Sequence, residues 1–218
     1  MMTSAPRWLN VLEKRMSWLA IPHIAVLLIT CQVAGFLLVA SDPVWMMRLA
    51  LIPEAALRNG EWYRLVTFLA LPLATGPLWV VFALLFLYFL LNSIETVWGA
   101  FRTTLYVLVS LGLTVAFSFA FNYPVTSVGH FESTLFLAAA ALFPEMEIRL
   151  FMIFPVKMKW MAWVTAAFLV LEAFRGTWTD RLYLVVVYSN FLLFFGPALL
   201  GWSKTFLRRR KFQKMMRD

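Results

Sequence analysis

GEWYRLVTFLALPLATGPLWVVFALLFLYFLLNSIETVWGAFRTTLY, residues 60–106, decides the solvent in which this chain folds. The segment is almost wholly apolar between Leu65 and Leu91, yet charge frames it: Glu61 and Arg64 before, Glu95 and Arg102 after. Pro72, Gly76 and Pro77 break the run early, so a loop is expected up to Pro77 and a helix from Leu78 to about Trp98. Roughly 20 residues at 1.5 Å each reach about 30 Å, the thickness of bilayer hydrocarbon. This helix belongs in lipid.

Composition extends that reading to the whole chain of 218 residues. Charged residues make up 14% and hydrophobic ones 62%, where a soluble domain carries about 25% charged. One bundle of membrane helices is expected, with little room for a soluble domain. The net charge of +8 is concentrated: seven of the 19 basic residues follow Gly201, against the single acid Asp218. A basic run flanking a membrane helix binds lipid headgroups, and no nucleic-acid partner is expected. Cys31 is the only cysteine, which excludes a disulfide framework and a cysteine-based metal site.

Taken in order, residues 1–20 predict a basic amphipathic helix at the membrane surface, with Arg7, Lys14 and Arg15 beside Trp8, Leu9, Leu12, Met16 and Leu19. Ile21 to Ala40 reads as a first span, longer than the apolar core of a signal peptide. Ser41 to Gly60 cannot span and is expected at the interface. Thr103 to Phe121 is a third span, and Asn122 to about Phe131 a loop. The fourth helix is short: Glu132 to Glu145 covers about 21 Å, tolerable only inside a bundle that meets its polar end. A turn at 148–159 leads to a fifth span, Trp160 to Phe174, and a sixth, Leu182 to Trp202. The expected plan is therefore all-α: an interfacial segment at 1–20, a six-span membrane domain at 21–203 and a basic tail at 204–218. Six spans put both termini on one side, which then carries 14 of the 19 basic residues, so both termini are expected in the cytoplasm.

Several motifs resemble a known family. Gly60-Glu-Trp-Tyr-Arg-Leu-Val-Thr-Phe68, with Trp62 and Arg64, resembles the G-x-W-W-R-L-x-T segment of rhomboid intramembrane proteases and, more loosely, of Derlins. Glu95-Thr-Val-Trp-Gly99 with Arg102 and Tyr106 resembles the rhomboid E-x-x-x-G-x-x-R/K…Y pattern. Ala-Ala-Leu-Phe-Pro144 and Pro155-Val-Lys-Met-Lys-Trp160 resemble the family's link between the fourth and fifth spans. The resemblance covers about residues 20–203 and implies a six-helix rhomboid-like bundle in which Arg64 and Glu95 tie the first loop to the bundle.

The family's chemistry does not carry over. Rhomboids cut with the serine of a G-x-S-G at the head of the fourth span and a histidine in the sixth. The serine's place falls near Gly129, in Ser127-Val-Gly-His-Phe-Glu-Ser133, where no G-x-S-G occurs. Ser189 or Asn190 stands where the histidine would be, and the oxyanion pair H-x-x-x-N falls on Trp79 and Ala83. A serine without a base and donors has no route to this reaction. The expectation is a catalytically inactive rhomboid-like protein of a bacterial cytoplasmic membrane, with no cofactor. It would bind membrane lipids and client transmembrane helices in a recess near Trp79, Ala83, Gly129, His130, Glu132, Ser189 and Asn190.

Two other readings stand beside it. One is an active serine protease using Ser127 or Ser133 with His130; against it, Ser133 would cap the fourth helix and His130 would lie in a loop. The other is a small transporter or lipid-handling protein, for which no inverted repeat is visible. His23 reads as interfacial and Glu172 as snorkelling to the outer interface. Two histidines without carboxylates at ligand spacing make no metal site.

Overall fold

The computed structural model describes residues 7–150 and 154–215. Ten α-helices dominate: α1 (Arg7–Met16), α2 (Ile24–Ser41), α3 (Val44–Leu49), α4 (Pro53–Asn59), α5 (Arg64–Thr67), α6 (Pro77–Trp98), α7 (Ala100–Phe121), α8 (Gly129–Leu142), α9 (Met158–Arg175) and α10 (Trp178–Met215). Among the described residues, α2, α6 and α7 are long and apolar enough to cross a membrane. At 18 to 22 residues they span about 27–33 Å.

Local chemistry sets the helix ends. Pro77 opens α6, where a missing N–H costs nothing. Gly99 joins α6 directly to α7 at φ +81°, a conformation that only glycine adopts without strain. Asn122 closes α7 in the left-handed region. His23, exposed and expected only to sit at the interface, has φ 56°, and its backbone N–H donates to Glu95 at 2.9 Å. Glu95 therefore anchors the start of α2 rather than the first loop.

The first loop departs most from its expected surface course. Leu49, Ala50 and Leu51 are buried, and the turn at 68–70 carries Phe68 into the core. Arg64 holds this wedge. Only 7% exposed, it donates to the carbonyls of Met47 (2.6 Å) and Ala50 (2.8 Å) and pairs with Glu61 at 2.5 Å. The wedge can reach α2 because Gly35 has no side chain; a Cβ there would collide with the Ala70 backbone. Leu51 and Val125 exchange backbone hydrogen bonds, joining the wedge to the α7–α8 connection.

At the opposite end α1 docks on protein as well as offering an amphipathic face. Leu9 is buried, and Arg102 donates to Glu13 (2.8 and 3.1 Å) and Asn10 (3.0 Å). The expected turn after the fourth helix is instead an antiparallel hairpin, β1 (Glu147–Leu150) with β2 (Phe154–Lys157), in which Ile148 faces Val156. It is the one β element among the described residues of an otherwise helical chain.

The short helix has its expected 14 residues but starts at Gly129, three earlier than Glu132. It lies between α6, α9 and α10 and buries Phe131, Thr134, Leu135, Phe136 and Ala138 to Ala140. A run of alanines lets neighbours approach closely. A buried chain of hydrogen bonds crosses the bundle: the Tyr106 hydroxyl donates to the Thr134 carbonyl (2.9 Å), and the Asn190 amide donates to the Tyr106 carbonyl (3.1 Å).

Candidate functional site

The earlier start of α8 changes the surroundings of its first turn. The Gly129 N–H donates to the Ser127 hydroxyl oxygen at 3.1 Å, so Ser127 closes the helix entry locally. Ser133 is not the cap, and His130 lies on the helix one turn before it rather than in a loop. The two do share a helix face, but they do not meet directly. The Tyr188 hydroxyl, from α10, lies 3.5 Å from His130 Nδ1. On the other side of the ring, His130 Nε2 stands 3.3 Å from Glu172 on α9.

Three groups meet at the ring. The imidazole therefore has the Tyr188 hydroxyl beside Nδ1 and the Glu172 carboxylate beside Nε2. Among the hydrogen bonds of the described residues, none joins a serine hydroxyl to an imidazole nitrogen. Glu172, expected to snorkel alone, is the partner of His130.

The other expected site residues disperse. Trp79 is 57% exposed and Ala83 is half-buried, and neither is among the residues that line the cleft around His130. Ser189 donates back to the Val186 carbonyl at 2.6 Å. Asn190 is fully buried; its amide holds Tyr106, and its Oδ1, like the Ser110 hydroxyl, has no hydrogen-bond partner among the described residues. Glu132 accepts from the Gln32 amide at 2.5 Å, an interhelical bond between α8 and α2. Trp62 stacks on Phe119, centroids 6.4 Å apart.

An open cleft of about 550 Å³ is centred on His130 and Glu172. Tyr123, Asp180 and Tyr183 wall one side, and Phe168, Leu171 and Arg175 of α9 the other. The α9–α10 turn is built by a capping box: the Thr177 N–H donates to Asp180 at 2.7 Å, and the Asp180 N–H donates back to the Thr177 hydroxyl at 3.3 Å. The Tyr123 hydroxyl donates to the other Asp180 oxygen at 2.9 Å. The Thr177 hydroxyl and N–H, then Tyr123, hold the Asp180 carboxyl below its ordinary range. Burial, with the facing carboxylate, pushes the Tyr123 phenol up to about 12.

Sequence reading missed Tyr123, Tyr188, Arg175 and Asp180. The T-x-x-D spacing of Thr177 and Asp180 carried a legible capping signal, whereas the tyrosines were hidden among many aromatic residues. Among the described residues no three His, Cys, Asp or Glu side chains cluster for a metal ion. Scanned against protein-family models the chain matches none, and a search of curated proteins finds no match either.

Proposed function

We propose that this is a rhomboid-like membrane protein of six spans without a working serine centre, which binds transmembrane segments of other membrane proteins. The observation that carries it is that the His130 imidazole lies against Tyr188 and Glu172, while no hydrogen bond among the described residues joins a serine hydroxyl to an imidazole nitrogen. Two features support six spans. α9 matches α2 in length and carries exposed Trp160 and Trp163 at one end and exposed Phe174 at the other; α10 runs for 38 residues, about 57 Å. The excess of basic residues beside both termini supports a cytoplasmic location for them, in a bacterial inner membrane.

The binding physics is simple. A client helix with a polar side chain in lipid lacks partners, and His130 and Glu172 offer polar groups to it in the cleft. α9 can make way, because Met158 is its only buried residue. Photocrosslinkers at Leu171 and Glu172 should trap a membrane protein, while one at the outward Val170 should not. Trapping at Val170 alone would sink the reading.

The placing of His130 and Ser133 one turn apart on α8 favours one second reading, a hydrolase in which Ser133 gives its proton to His130. A fluorophosphonate probe that labels the purified protein, and loses that label in Ser133→Ala, would establish it.

A further inference from the structure

The cleft is divided chemically along its depth. Phe168, Leu171 and Leu184 form an apolar side, while Glu172, Arg175 and Asp180 sit toward the α9–α10 turn. That turn lies at the membrane boundary. Tyr123, which binds Asp180, stands two residues beyond the end of α7, one of the helices long enough to cross. Exposed Trp178 beside it is a residue type suited to headgroup depth.

The charges at the mouth are not equivalent. Both oxygens of Asp180 are occupied by Thr177 and Tyr123, and one oxygen of Glu172 faces His130. The second Glu172 oxygen and the whole Arg175 guanidinium have no hydrogen-bond or ion-pair partner among the described residues. One turn of α9 thus presents a free cation and a free acceptor above an apolar floor, in a volume typical of small-ligand sites.

We propose that this cleft holds the headgroup of an aminophospholipid, its phosphate on Arg175, its ammonium on Glu172 and its glycerol–acyl end against Phe168, Leu171 and Leu184. A guanidinium fork matches a phosphodiester, and a carboxylate oxygen accepts from a primary ammonium but finds no N–H on a trimethylated one. The assignment does not depend on client binding, since every group it uses is present without a client.

The test is lipid binding to delipidated, detergent-purified protein by native mass spectrometry. Its probes are phosphatidylethanolamine, phosphatidylcholine and phosphatidylglycerol with identical chains, and inorganic phosphate. Phosphatidylethanolamine should bind roughly tenfold tighter than phosphatidylcholine, the worth of one charge-assisted hydrogen bond. Arg175→Ala should weaken all three lipids roughly tenfold, with Arg175→Lys between. Glu172→Gln, which keeps an acceptor for His130, should erase the preference for the primary amine. Equal binding of the three lipids to the unaltered protein, or undiminished binding to Arg175→Ala, would overturn the proposal. Inorganic phosphate competing as well as lipid would overturn the lipid assignment. Arg175 makes no contact that folding needs, so an unchanged melting temperature in Arg175→Ala keeps the comparison interpretable.

Discussion

The wedge of the first loop and helix α9 flank the same bundle and are held in opposite ways. The wedge is pinned by a buried guanidinium on two carbonyls, a glycine that admits its backbone, and a bridge to the α7–α8 connection. α9 buries Met158 at its start, and the polar ties of its far half run to His130 and to the α10 turn. One region is fixed by hydrogen bonds whose loss leaves buried polar groups bare. The other is fixed by contacts that lipid, a client or water can replace. The half built for stability is therefore distinct from the half that borders the cleft.

Substitutions can break that contrast. Arg64→Ala should cost the most, about 3 kcal/mol or more, because it strands two buried carbonyls and Glu61. Equilibrium unfolding in mixed micelles measures it, and a loss below that of a surface substitution would remove the wedge from its role. Gly35→Ala follows, at about 1–3 kcal/mol by the same assay, since its methyl meets the Ala70 backbone. Val164→Ala on the outer side of α9 should change stability by no more than about 0.5 kcal/mol. A large effect there would make α9 as integral as the wedge.

Smaller still is the effect of His130→Ala. It should leave global stability nearly unchanged and raise amide exchange in the second half of α9 roughly twofold to fivefold, the range of a half-exposed polar contact. Uniform exchange changes across the bundle would contradict the separation of the two regions.

The faintest effect is at the hairpin, where Glu145 accepts from Lys159 (2.6 Å) and Lys157 (3.0 Å). These bonds lower the Glu145 carboxyl and raise the Lys157 ammonium. A depressed carboxyl stabilises the fold above its unfolded range and loses that contribution as pH falls through its folded value. A raised ammonium stabilises below its unfolded range and loses it as pH rises through its folded value. The hairpin should stay closed between those limits and loosen beyond either, visible as amide chemical-shift changes confined to residues near 145–159.

Much of this was legible in the chain. The long apolar runs, the Pro77 start and the 14-residue length of the fourth helix follow from hydropathy, length and turn chemistry, whereas the tight Gly99 junction was not foreseen, the third span being expected only from Thr103. Arg64 was marked by the resemblance as a tie between the first loop and the bundle, and it finds its partners in that loop. The first loop was misjudged because its polarity is mixed. Burial of Leu49 to Leu51 depends on Gly35 and Val125, which lie far away in sequence.

Sequence alone determined the solvent, since no arrangement of this composition could hide its apolar surface from water. It also determined where helices begin and end, because caps and breakers act within a few residues. Tertiary structure decided what the polar residues do. His130, Glu172, Tyr188 and Ser133 sit on three different helices, and a hydrogen bond forms or fails over a few tenths of an ångström that no spacing in the chain encodes.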